Sequence, residues 1–162
     1  MGLNDSRFSG SKWELEMAVR PESLPDEHVT VVGRLLFGNA LFYLALSHQG
    51  VGVLDSYYGA FCGGPGPCAS TYPQYGTKVL TPGKWSVIKL SIVPASTAGQ
   101  PHRIIVAIDG VVTVERAAPA VFAPTPNNPE AAPRLDVGLV LMTGDPKERR
   151  VLIDDVALDV TP

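Results

Sequence analysis

From Lys12 to Arg20 the chain alternates strictly, with Trp13, Leu15, Met17 and Val19 on one side and Lys12, Glu14, Glu16 and Arg20 on the other. A period of two is the side-chain period of a strand, so the segment predicts a half-buried antiparallel strand, closed by Pro21. Val29 to Phe37 and Ala40 to Ser47 predict two more, joined at Gly38-Asn39, a pair that tolerates the positive φ of a tight turn. Gly50-Val51-Gly52-Val53 reads as part of a hairpin. After the turn Thr81-Pro82-Gly83, Ile88, Leu90 and Ile92 alternate with Lys89 and Ser91. Ile104, Val106 and Ile108 then lead into Asp109-Gly110 and Val111 to Val114, the strongest hairpin signal in the chain. Leu135, Val137, Leu139 and Leu141 predict another strand, and Val151 to Val160 the last.

No window carries a helical repeat of apolar residues over three turns. Prolines at 119, 124, 126, 129 and 133 make Ala117 to Pro133 an extended crossover. Many antiparallel strands with long crossovers predict an all-β fold, a two-sheet antiparallel β-sandwich of jelly-roll type.

The last strand, "VLIDDVALDV", poses a problem of its own. On strict alternation Leu152, Asp154, Val156, Leu158 and Val160 share a face, which buries Asp154, while Asp155 joins Val151, Ile153, Ala157 and Asp159. A buried charge is expensive unless it is paired. Asp154 therefore needs backbone donors, a cation, or a bulge that turns it outward.

Composition narrows the partners. At 162 residues the chain suits one domain, and 13 Lys and Arg against 16 Asp and Glu, spread without runs, leave no basic face for nucleic acid. The apolar runs are too short and too interrupted to span a bilayer. The start, "MGLNDSRFSG", has no charged n-region followed by an apolar h-region, so no export signal is read there. Residues 1–7 read as a leader and 8–162 as the domain.

The stretches "PGKWSVIKLSI", "HRIIVAIDGVVTVE" and "PRLDVGLVLMTGDPKERRVLIDDVALDV" resemble, in that order, the second half of a concanavalin A-like lectin/glucanase domain, the jelly roll shared with laminin G-like modules. The resemblance covers about residues 82 to 160 and is looser over 8 to 80. Because such domains commonly place one or two strands before the one at Trp13, it implies a domain lacking its first strands. It also implies a structural calcium near the terminal strand, where Asp154 and Asp155 offer hard oxygen ligands, although no Asp-x-Asp-x-Asp-Gly loop accompanies them.

The same resemblance includes glucanases, whose retaining members carry Glu-x-Asp-x-x-Glu so that one carboxylate attacks and another protonates. The nearest stretch is Glu14-Leu15-Glu16-Met17, followed by Ala18 and Val19 where further acid is needed, so the motif is missing. His28, His48 and His102 are scattered over separate strand ends without zinc spacing. There is no Gly-x-Ser-x-Gly elbow and no phosphate loop. These readings predict a chain that is not an enzyme.

Residues 55 to 76, "DSYYGAFCGGPGPCASTYPQYG", are too long for an idle connection. Cys62 and Cys68 bracket Gly-Gly-Pro-Gly-Pro, a spacing that predicts a disulfide between them and an oxidising compartment. Tyr57, Tyr58, Tyr72 and Tyr75 offer apolar plates with hydroxyls, and Asp55 and Gln74 offer orienting polar groups. The expectation is a non-catalytic binding module for a carbohydrate or cell-surface glycan, in an extracellular or cell-envelope protein. The alternatives are a structural or protein-docking accessory domain without a small ligand, and a divergent glycoside hydrolase.

Overall fold

The computed structural model describes residues 12–24, 29–37, 40–57, 74–95, 100, 102–117, 134–142 and 150–161. Within them lie ten strands: β1 (Lys12–Pro21), β2 (Thr30–Phe37), β3 (Ala40–Ser47), β4 (Gly50–Tyr57), β5 (Gln74–Tyr75), β6 (Ser86–Val93), β7 (Arg103–Ile108), β8 (Val111–Ala117), β9 (Arg134–Met142) and β10 (Val151–Thr161). They form two five-stranded antiparallel sheets, in the order β10-β1-β6-β7-β8 in the first and β5-β4-β3-β2-β9 in the second. The predicted two-sheet jelly-roll sandwich is the observed fold.

The core lies between the sheets, where alternation sends every second side chain. From the first sheet come Trp13, Leu15, Met17, Val19, Ile88, Leu90, Ile92, Ile104, Val106 and Ile108. From the second come Val32, Leu35, Phe42, Leu44, Leu46, Val51 and Val53. Each large aliphatic side chain buried this way contributes roughly 1.5–3 kcal/mol. At Gly33 a Cβ would stand 3.0 Å from the Met17 Cε, so glycine lets β2 approach β1 closely.

The turn Asp109-Gly110 forms as its sequence predicts, with φ of 50° and 77° and Ile108 opposite Val111. Two positive φ values match the twist of the flanking strands. Asp109 also ties the turn to its neighbours: its Oδ1 accepts from the Val87 N–H at 2.8 Å, its Oδ2 from Lys78 Nζ at 2.8 Å, and its own N–H donates to the Val87 carbonyl at 2.8 Å. β5, only two residues long, was not predicted. It pairs with β4 through Gly52↔Tyr75 and Val53↔Gln74.

Strict alternation fails in two of the edge strands, β10 and β9. Glu16 pairs with Ala157 but Ala18 with Asp154, so β10 spends one extra residue between them, a β-bulge at which Asp155 takes φ 49°. Before the bulge Val151 and Ile153 pack on the core; after it Val160 does. Asp154 is consequently exposed, opposite Ala18 on the outward face, and the expectation of a buried Asp154 is corrected: of its three remedies the fold uses the bulge. In β9 the irregularity falls between Val137, opposite Gly33, and Leu141, opposite Val31, with Gly138 at φ 128°. It divides the single face expected for Leu135, Val137, Leu139 and Leu141.

Among the described residues no helix is long and apolar enough to cross a membrane.

Candidate functional site

The outward faces of the two sheets differ in kind. On the first sheet the outward positions carry a lattice of surface ion pairs, Lys12 to Glu14 at 2.9 Å, Lys89 to Glu16 at 2.8 Å and Arg103 to Glu115 at 2.7 Å. Hydrogen bonds from Lys12 and, secondarily, from the Ser91 hydroxyl hold Glu14 below the usual carboxylate range. The Glu16 contact holds Lys89 above its ordinary value. A carboxylate stabilised in its charged form is a poor proton donor, so Glu14 is unsuited to be the acid of a glycosidase pair.

On the second sheet the described outward side chains are mostly apolar, and a polar row crosses them. Leu54 stands opposite Tyr43, Tyr43 opposite Arg34, and Arg34 opposite Asp136, on β4, β3, β2 and β9 respectively. Tyr43 alternates with Phe42 and Leu44, which point into the core, so its ring is on the outer side. Arg34 donates from Nε to the Asp136 Oδ2 at 2.6 Å, and its Nη2 closes on the same oxygen. Both side chains are about one-third exposed or less, at 31% and 24%. Charge-assisted bonds in that setting are stronger than exposed ones. Around the row Val31, Leu41, Ala45 and Ser47 are buried although they lie outside the inter-sheet cluster. Beside it, on the next register position, Ala45 faces Gly52 and Gly52 faces Tyr75, whose ring is half-buried.

The expected ligand residues distribute unevenly over this sheet. By backbone register Tyr57 lies opposite Ala40, Asp55 opposite Phe42, Gln74 opposite Val53 and Tyr75 opposite Gly52. Tyr58, Tyr72, Cys62 and Cys68 lie outside the described residues, as does His28. His48 sits exposed in the β3–β4 turn, and His102, just before β7, accepts from the Ala95 N–H on Nδ1 at 3.1 Å. Burial pushes the His102 imidazole below its ordinary value. Asp154 and Asp155 are neighbours on an edge strand, with the Asp155 N–H donating to the Asp154 Oδ1 at 2.9 Å. Among the described residues no group of three or more His, Cys, Asp or Glu side chains is placed to hold a metal ion.

Arg34, Asp136 and Tyr43 were not singled out from the sequence. A signal was present: "TVVGRLLF" and "RLDVGLVLM" each embed charge in an apolar strand, where an unpaired charge is costly. What was missing is the pairing, which joins residues 102 apart in the chain.

Chemically the row offers an anion-binding fork and a phenol. A guanidinium has five N–H donors, and those not spent on Asp136 remain for a carboxylate or sulfate ligand. The Tyr43 hydroxyl donates, accepts, or moves a proton.

No family model matches the chain, and no curated protein does. Its fold is similar to that of solved alginate lyases. A double mutant of alginate lyase Aly36B in complex with an alginate tetrasaccharide superimposes with a TM-score of 0.56 at 14% identity, over 93% of this chain and 70% of that one. A second mutant, in complex with an alginate trisaccharide, gives 0.53 at 14%, and a structure of alginate lyase Aly36B 0.53 at 13%, with the same coverage. The expectation of a chain that is not an enzyme is thereby corrected. The sandwich it shares is one on which polysaccharide lyases are built, and the missing Glu-x-Asp-x-x-Glu excludes one glucanase mechanism without excluding catalysis.

Proposed function

We propose that this chain recognises and cleaves an acidic, uronate-bearing polysaccharide across the outward face of the second sheet. The observation that carries the reading is the Tyr43–Arg34–Asp136 row: a half-buried guanidinium, held in orientation by a carboxylate, beside a phenol in an apolar surround. The likeness to lyases seen with bound alginate oligosaccharides supports it at the level of the fold.

Cleavage of a polyuronate by elimination removes the proton α to the carboxylate and expels the glycosidic oxygen, leaving a carbon–carbon double bond in the ring. The α-proton becomes acidic only when the carboxylate charge is neutralised, which is the role Arg34 suits. Tyr43, across the strand from it, is the group to move the proton. Asp136 acts through Arg34, orienting the fork. The segment between β4 and β5 leaves and rejoins this same sheet, and on this reading Tyr75, whose register partner Gly52 shares the outward face with Ala45, stacks on the sugar together with Tyr58 and Tyr72 of that segment. The reading also carries an extracellular or cell-envelope location, where such polysaccharides lie.

The test is to incubate the chain with alginate, other polyuronates and neutral polysaccharides, following the ultraviolet absorbance of the unsaturated uronate. Activity on a polyuronate is expected, and Tyr43→Phe should lower kcat by about a hundredfold or more while leaving the melting temperature nearly unchanged. Failure of every polyuronate to bind or be cleaved overturns the proposal. Binding without cleavage overturns its catalytic half.

A further inference from the structure

The Pro21 end of the first sheet bears a surface unlike the ion-pair lattice beside it. Here the registers set Asp154, Ala18 and Val87 in one row across β10, β1 and β6, with Leu152 and Arg20 in the adjacent row. Trp85 immediately precedes β6, and the Arg20 guanidinium carbon lies 5.5 Å from the centroid of its ring. Even so the indole is 47% exposed, and Val87 is exposed beside it. The other tryptophan, Trp13, is wholly buried.

Two features set this surface apart. One is the large aromatic plate in water, which stacking by Arg20 holds in a fixed orientation. The other is the bulge. A non-glycine residue in the left-handed region, such as Asp155 at φ 49°, is uncommon, and such positions cluster at ligand sites. Its effect here is specific: it re-aims Asp154 from the inter-sheet side to the outward row that holds Ala18 and Val87.

We propose that this face binds a neutral pyranose unit of a glycan, at a site distinct from the Arg34 row on the opposite sheet. The indole of Trp85 stacks on the apolar face of the sugar ring, Ala18 and Val87 form a flat floor, and the Asp154 carboxylate accepts from sugar hydroxyls. Charge decides the class. Asp154 and Asp155 are both exposed, and Arg20 is already engaged by Glu22 at 3.1 Å. A uronate would meet the negative charge of this carboxylate pair, whereas hydroxyls meet acceptors. The site does not depend on the lyase reading, since none of its residues belongs to that row.

Because Trp13 is buried, the accessible tryptophan fluorescence reports on Trp85 alone. The intact chain is titrated with cellohexaose, with mannohexaose and with an alginate hexasaccharide, recording tryptophan emission, acrylamide quenching and calorimetric affinity. A neutral hexaose is expected to shift the emission and protect Trp85 from acrylamide. Trp85→Ala should weaken its calorimetric affinity by about tenfold or more, and Asp154→Ala by a smaller factor, both with melting temperatures close to the parent's. Alginate binding, if present, should survive both changes and leave the emission unaltered. The proposal is overturned if neither neutral hexaose perturbs Trp85, if affinity persists in Trp85→Ala, or if the alginate hexasaccharide rather than a neutral one quenches it. Loss of uronate cleavage with neutral binding intact would refute the lyase reading and leave this site standing.

Discussion

β1 and β10 are hydrogen-bonded neighbours with the same kind of sequence, apolar residues alternating with charged ones, yet they end in different environments. Leu15 is fully buried while Leu158, directly opposite it, is 36% exposed, and Val156 is 44% exposed. The difference is position in the sheet: β1 has a strand on each side, β10 only one. Alternation selects the face a side chain occupies, and how far it is buried there depends also on the strands that flank it. With one flank open, β10 loses part of the burial that β1 has.

The largest expected effect tests that contrast directly. Leu15→Ala should destabilise the fold by about 2–5 kcal/mol through lost burial and a cavity. Leu158→Ala, with about a third of the side chain already in water, should lose roughly 1 kcal/mol or less. Equal losses in urea unfolding would break the comparison.

A second pair sharpens it at the level of the backbone. Asp109 and Asp155 share nearly the same positive φ, but the Asp109 carboxylate joins the β7–β8 turn to β6 and Lys78, whereas the Asp155 N–H bonds to its chain neighbour Asp154 on an edge strand. Asp109→Ala should therefore cost about 1–3 kcal/mol, from the unpaired Val87 N–H and the strained turn. Asp155→Gly should stay within roughly 0.5 kcal/mol of the parent, because glycine adopts that φ freely. A Gly substitution at 155 as damaging as Asp109→Ala would show that the bulge is held by more than local bonding.

The smallest effect concerns pH. Lys12 holds the Glu14 carboxyl below its usual value on β1, and Lys78 with the Val87 N–H does the same for Asp109. In each case the folded state binds protons less readily than the unfolded chain. Their stabilisation is present above the ordinary carboxylate values and is lost as pH falls from there through the lowered values of the folded state. Glu14→Gln should therefore flatten the decline of melting temperature on acidification, slightly because the pair is near the surface. An unchanged acid limb would remove Glu14 from the account.

Several features were legible because they are local. The strands from Trp13 to Val19, Ile88 to Ile92 and Ile104 to Val114 form where the two-residue period placed them, and Asp109-Gly110 turns as those two residues must. The functional row was not legible. Arg34, Tyr43 and Asp136 come from three strands, and no pattern within any one of them states which strand lies beside which. The tyrosine-rich segment drew attention by composition, but only the pairing of strands sets Tyr57 of β4 opposite Ala40 and Tyr75 of β5 opposite Gly52.

By itself, then, the order of apolar and polar residues determined an all-β sandwich, its strand segments and the inward side chains of β1, β6 and β7, because solvent sorts a period of two without reference to distant chain. Only the tertiary structure decided that β9 and β10 are edges, that one extra residue in β10 turns Asp154 into water, and that Arg34 meets Asp136. Those outcomes rest on pairings between strands far apart in sequence, where register, flanking and electrostatic partners come into being together when the sheets close.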